Sequence, residues 1–169
     1  MKSKLLVGLI LFVFFVISFL TNIIGPLVPD IINAFNLSLS MAAFLPFSFF
    51  LAYGVMSIPS GFLVEYIGEK KVMILAFFLS AFGALSFSIN PNYLLYILSL
   101  FLIGSGMAML QVSINPLLRY IGGKKEFAFN SVLGQLFFGL ASFISPLIYS
   151  FLIISLSAGS DSSNYITLF

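Results

Sequence analysis

Apolar residues in this chain do not alternate with polar ones. They run together in five long stretches, cut by short polar or charged breaks. About 20 apolar residues in a row is what a helix needs to cross the hydrocarbon core of a bilayer. On that rule the sequence predicts membrane spans at about residues 5–28, 41–64, 72–89, 93–118 and 127–156. The breaks carry turn signals. Pro26 and Pro29 close the first span, Asn36-Leu37-Ser38-Leu39-Ser40 links it to the second, and Asn90-Pro91-Asn92 ends the third. Pro46, Pro59 and Pro146 fall inside spans, where neighbouring groups can satisfy the carbonyls that a proline frees and where kinks are common. The opening Met1-Lys2-Ser3-Lys4 and the apolar residues 5–20 invite a reading as a secretory signal. That run exceeds the usual ~7–15 residues and no small-x-small cleavage site follows, so it is expected to be a retained first span.

Two patterns interrupt the apolar runs. In the fourth span Gly104, Ala108, Gln111 and Asn115 recur at helical spacing and share one face. An unpaired amide in hydrocarbon costs on the order of several kcal/mol, so this face turns toward protein, water or a ligand rather than lipid. In the third span Ala76, Ser80, Ala84 and Ser88 repeat every fourth residue. Such a stripe lets two membrane helices approach closely, and it reads as packing. Gly134 and Gly139 in the fifth span show no such clean spacing.

Composition turns the pattern into a class. The chain of 169 residues is 61% hydrophobic and 7% charged, with a mean hydropathy of +1.19, against about 25% charged residues in soluble domains. It is an all-α integral membrane protein by this reading, with the lipid bilayer as its first partner. It contains no histidine and no cysteine, which excludes a disulfide framework, thiol and histidine-triad catalysis and most zinc chemistry. No metal, no cofactor and no enzymatic activity are expected, and no lysine lies inside a span to form a Ser–Lys dyad. The net charge of +2 gives no footprint for nucleic acid. The cations do have a pattern. Lys2 and Lys4, Lys70 and Lys71, and Arg119, Lys124 and Lys125 all fall on one side of the predicted spans. The positive-inside rule then places the N-terminus in the cytoplasm of a multi-pass protein of the cell (inner) membrane. The tail 157–169 is expected outside, leading to a missing sixth helix.

The break between the second and third spans holds Gly61, Leu63, Glu65, Gly68, Lys70 and Lys71. A carboxylate at the membrane edge, a turn glycine and paired cations suit a charge-and-dipole clamp, with Glu65 available to a neighbouring helix N-terminus. This run resembles the loop signature of the major facilitator superfamily between its second and third helices, with Tyr66 standing where that family usually has arginine. A narrower resemblance covers nearly the whole chain. Gly104, Gly106, Leu110, Gln111, Asn115-Pro116 and Gly122 are similar to the fourth helix of the fucose permease family, which includes glucose and galactose transporters. Residues 53–61, YGVMSIPSG, resemble its second helix, and Asn130, Phe138-Gly139 and Ser145-Pro146 resemble its fifth. The resemblance implies five helices forming most of the N-terminal six-helix bundle of a carrier, with the C-terminal half missing.

The departures bear on mechanism. Proton symporters of that family place coupling carboxylates in helices one and four, and the resemblance puts those positions at Gly25 and Gln111. Neither side chain titrates. Asp30, Glu65 and Glu126 all lie at span ends, whereas proton relays are ordinarily built from carboxylates within the membrane. Coupling therefore lies elsewhere, or the carrier uses Na⁺ or no ion; co-transported Na⁺ or H⁺ both stay open. What the spans do contain are neutral amides: Asn22, Gln111, Asn115, Asn130 and Gln135. With nearby aromatics they suit a neutral polyol, which offers hydroxyls and apolar C–H faces. Asn22, Gln111, Asn115 and Gln135 are the candidate sugar contacts. Asn115, directly before Pro116, and Asn130, at a span end, equally suit bonds to other helices or to freed backbone. Gln135 is offset from the family's fifth-helix amide, which falls at Leu133.

The expected function is secondary active or facilitative transport of a hexose-type sugar by alternating access, from a fragment of a longer carrier. Alternatives are a carrier of another neutral or apolar solute and a non-transporting membrane remnant. Anions are disfavoured because no Arg or Lys lies within a span.

Overall fold

In lipid, backbone N–H and C=O groups have no water to bond, so a spanning segment must pair them internally, and helix is the solution open to a single chain of this composition. The computed structural model describes residues 2–89 and 92–157, and helix is the only regular structure among them. The helices are α1 (Lys2–Asn22), α2 (Ile24–Phe35), α3 (Leu39–Ile67), α4 (Glu69–Ile89), α5 (Tyr93–Gly122) and α6 (Phe127–Ser157). Asn90, Pro91 and the tail 158–169 lie outside the described residues.

The helices α1 and α2 make one run. Ile23 between them keeps helical angles (φ −72°, ψ −21°), and its N–H reaches the Phe19 carbonyl at 3.1 Å. The run passes through Pro26 and Pro29, where the sequence predicted an end near residue 28. Each proline removes only its own donor, and Leu27 still bonds to Ile23 at 3.3 Å. The helix stops at Asn36, whose left-handed backbone (φ 49°) terminates it. The other helices also outrun the predicted spans at several ends, because caps and not apolarity stop a helix. Ser38 starts α3 by accepting from the Met41 N–H at 3.3 Å. Gly68 (φ +86°) ends α3 and Gly123 (φ +80°) ends α5, backbone conformations that favour glycine. Asn92 starts α5 through its Oδ1, which accepts from the Leu95 N–H at 2.9 Å.

Four runs are long and apolar enough to cross a bilayer: Lys4–Phe35, Leu39–Ile67, Tyr93–Gly122 and Phe127–Ser155. A further helix, α4, opens on Glu69, Lys70 and Lys71 and then continues without charge through residues 72–89.

Helix α5 is the axis of the bundle, lying between α3 and α4 and touching α1, while α6 packs on α1. Two glycines explain how α5 serves both neighbours. A Cβ on Gly104 would lie 2.3 Å from the Phe49 carbonyl oxygen of α3. A Cβ on Gly106 would lie 2.1 Å from Ser80 Oγ and 2.7 Å from the Ala76 carbonyl oxygen of α4. Residues two apart on a helix point about 200° apart, so the pair faces opposite neighbours. The Ala76/Ser80 part of the small stripe on α4 is thus packing, and its partner is Gly106. Hydroxyl-to-carbonyl bonds stitch the rest: Ser48 Oγ to Ile97 O at 2.8 Å joins α3 to α5, and Ser18 Oγ to Phe138 O at 2.6 Å joins α1 to α6. Buried Leu45, Phe49, Met107, Leu110 and Ile114 fill the interior, while Phe78, Phe143 and Phe151 stand exposed as a lipid-facing surface requires.

Gly104→Ala is expected to lower the thermal unfolding midpoint in detergent, by the equivalent of about 1–3 kcal/mol, because backbone must move to admit the methyl. Gly139→Ala, where a Cβ meets nothing within 4 Å, is expected to leave it unchanged or raise it, since alanine favours helix. Equal midpoints for the two variants, measured by fluorescence-detected gel filtration, would contradict the close approach of α3 and α5.

Candidate functional site

The seam that Gly104 closes opens further along the same two helices. One turn past Phe49 on α3 comes Tyr53, and two turns past Gly104 on α5 comes Gln111. The Tyr53 hydroxyl donates to Gln111 Oε1. Both side chains are half-buried. This bond fixes the amide's orientation: its oxygen is occupied by tyrosine, and its Nε2 makes no hydrogen bond among the described residues. A held amide with an open donor is what recognition of a hydroxyl oxygen needs.

The stripe of Gly104, Ala108, Gln111 and Asn115 therefore spans three environments. Gly104 and Ala108 are buried packing, Gln111 is paired to α3, and Asn115 is exposed. Asn115 lies in a groove of about 590 Å³ with Glu69, Pro116, Arg119, Lys124 and Phe127, at the basic end of the bundle. Arg119 stacks over the Phe127 ring there, 5.8 Å from its centre.

On the first helical run, Asn22 Nδ2 donates to the Ser18 carbonyl at 2.8 Å and to Ser18 Oγ at 3.2 Å. Its nitrogen is committed to its own helix, while its Oδ1 has no partner among the described residues. Pro26 and Pro29 add to this. The N–H groups they lack are those that would bond the carbonyls of Asn22 and Gly25. Gly25 is exposed and a Cβ there would meet nothing within 4 Å. The α1–α2 junction thus gathers one amide oxygen and two carbonyls deprived of their ordinary partners.

The remaining amides separate. Gln135 is exposed on α6, one residue from Gly134, which packs on Phe14 of α1. Asn130 is buried at the start of α6 and fills the space beside Gly122, where a Cβ would lie 2.6 Å from Nδ2; it is part of the α5–α6 corner. In the α3–α4 turn, Gly68 has the left-handed φ already described, whereas Glu65, Lys70 and Lys71 are exposed and form no ion pair among the described residues. A Cβ on Gly61 would meet nothing within 4 Å, so neither Gly61 nor Glu65 finds within these helices the contact a clamp would need. No group of three or more potential metal ligands converges among the described residues.

Tyr53 is the residue that reading the amides alone missed. Its signal was present, since it is the sole tyrosine between residues 41 and 64.

Comparison with known proteins bears on the family and the fold. The family model of the Major Facilitator Superfamily matches residues 10–166. The chain is 32% identical over 153 residues to the glucose/galactose transporter of Brucella abortus, covering 89% of this chain and 37% of that protein. It is 31% identical over 168 residues to a putative glucose/galactose transporter of Helicobacter pylori, covering 98% of this chain and 41% of that protein. It is 29% identical over 145 residues to the L-fucose-proton symporter of Escherichia coli, covering 84% and 33%. The crystal structure of the E. coli fucose:proton symporter FucP superposes with a TM-score of 0.76 at 26% identity, over 92% of this chain and 38% of that one. The chain spans about two fifths of the length of the relatives it matches.

The Tyr53–Gln111 bond is open to a double-mutant cycle. Tyr53→Phe and Gln111→Leu are each expected to lower thermal stability in detergent, and the double variant to lose less than the sum, by about 0.6 kcal/mol. Strict additivity would mean that the two side chains do not interact.

Proposed function

The chain belongs to the Major Facilitator Superfamily, and on that premise we propose that it forms one wall of the cavity of a hexose-type sugar carrier working by alternating access. The observation that carries this reading is Gln111, held by Tyr53 with its amide N–H open, on the α3–α5 seam that Gly104 closes. Such a donor matches a sugar hydroxyl, and relatives over most of the chain are named for glucose, galactose and fucose. Asn22 contributes an acceptor from the first span. Gln135 and Asn115 are weaker partners in this proposal: one is exposed on α6 and the other lies among the charges of the basic end. The second wall of the cavity comes from a further bundle, as in carriers of this class. The reading is of a carrier and not an enzyme, because these relatives are transporters and the cavity-side groups are neutral amides.

The proposal extends to placement. Lys4, Lys70, Lys71, Arg119, Lys124 and Lys125 share one end of the bundle, which we assign to the cytoplasm of an inner membrane. One relative is named a proton symporter, yet Gly25 and Gln111 are neutral, so a co-transported H⁺ or Na⁺ needs another site.

In the complete carrier, Gln111→Ala is expected to reduce uptake of labelled glucose or galactose more than about tenfold, the factor for one lost polar contact of about 1.4 kcal/mol, with the protein still in the membrane. Unchanged uptake would remove Gln111 from the site. Placement has its own check, since the chain has no cysteine of its own. In intact cells, Asn36→Cys is expected to react with an impermeant maleimide and Lys125→Cys to react only after the cells are opened. The reverse pattern would invert the assignment.

A further inference from the structure

The α6 helix is fastened to the first helical run at two places, and the fasteners differ in kind. On the α1 side, Ser18 Oγ donates to the Phe138 carbonyl at 2.6 Å, and Ser145 Oγ donates to the Phe19 carbonyl at 2.8 Å. These are neutral bonds with no titrating group. On the α2 side, the Tyr149 hydroxyl, one turn past Ser145, donates to Asp30 Oδ2. Tyr149 is 5% exposed, so the bond is sheltered at its tyrosine end. Between the two fasteners lie Pro26 and Pro29, where the run is missing two helical hydrogen bonds. The stretch that can bend is thus bracketed by one fixed attachment and one that depends on a carboxylate.

The surroundings leave Asp30 to Tyr149. Tyrosine 149 is the sole titratable side chain on α6. The α3 helix, which packs on α2, carries no titratable side chain before Tyr53 and none that is charged before Glu65. On α1 the charged residues sit at the far end, at Lys2 and Lys4. From α5, Tyr96 is near enough to act electrostatically on Tyr149. Among the described residues Asp30 meets no cation. An ionised carboxylate accepting a hydroxyl makes a hydrogen bond about twice as strong as a neutral one, so adding a proton to Asp30 weakens the α2 fastener and leaves the α1 fasteners as they were.

We propose that Asp30 is a proton-binding site that latches α2 to α6: ionised, it holds Tyr149 and the run lies against α6; protonated from the adjoining aqueous phase, it lets α2 swing about Pro26 and Pro29. This gives the bundle a titratable group at the end opposite the lysines, at neither of the two neutral positions, Gly25 and Gln111. It rests on the carrier reading only for its use in coupling; the latch itself does not require a sugar.

The test uses the complete carrier, this chain with its further bundle and with any cysteine of that bundle replaced, in lipid nanodiscs and without sugar, so that failure of the carrier reading leaves its outcome untouched. Spin labels are attached after Ala34→Cys on α2 and Phe151→Cys on α6, both exposed positions in a chain with no other cysteine. Pulsed electron paramagnetic resonance then reads the distance between them from about pH 8 to about pH 2, a range that passes below the ordinary aspartate range. The expected result is a longer-distance population that grows about fivefold toward acid, the change that one weakened hydrogen bond supports. Asp30→Asn and Tyr149→Phe are each expected to show the acid-like distribution at every pH. A distribution indifferent to pH in the unsubstituted background, or a pH response that survives Asp30→Asn unchanged, would overturn the proposal.

Discussion

Lipid tails are as apolar as leucine, so the hydrophobic effect does not drive membrane helices together, and close contact and hydrogen bonds must do so. In this bundle the requirement falls on α5, which has to lie against α3 and α4 at once. Gly104 and Gly106 meet it by removing side chains on opposite sides of one helical turn. Once those backbones touch, Tyr53 and Gln111 come within bonding reach on the same seam. The site geometry is therefore a by-product of how tightly the helices pack.

Many hydroxyls are paired, although Ser80, Ser99 and Ser131 Oγ and Asn130 Nδ2 are buried without a partner among the described residues. Serines return their protons to carbonyls one turn back, as Ser57 does to Tyr53 and Ser113 to Met109, or cross to a neighbouring helix, as Ser18, Ser48 and Ser145 do. Besides those buried atoms, a half-buried amide with an open nitrogen at Gln111 and proline-freed carbonyls at Asn22 and Gly25 are chemistry that packing does not use. Neutral groups of this kind can exchange partners with a hydroxylated solute at little electrostatic cost, whereas a buried charge could not.

Much of the fold was legible in the sequence because span length and helical period are local properties. The all-helical class, the buried Gly104 and Ala108 of the α5 stripe and the packing role of Ala76 and Ser80 all follow from spacing alone. What spacing could not supply was partnership. Tyr53 and Gln111 are 58 residues apart, and Asp30 and Tyr149 are 119 apart; no periodicity links residues on different helices. The stripe also looked uniform because one helix face was treated as one environment, while Gly104 and Ala108 are buried and Asn115 is bare. Proline was the other source of misreading. Pro26 and Pro29 looked like a terminus, but in lipid the lost bonds are cheaper than exposing further backbone, so the helix carried on.

The length of that first run has a consequence for the membrane around it. Lys4–Phe35 is 32 residues, about 48 Å at 1.5 Å per residue, against about 30 Å of hydrocarbon. An upright helix would overshoot, so the run must lean or project into the headgroups, and a thinner bilayer demands more of either. Bending is easiest at Pro26 and Pro29. Bilayer thickness is thus converted into an angle at the junction that presents Asn22 and Gly25, and the lipid composition of the host membrane becomes a mechanical input to the proposed site.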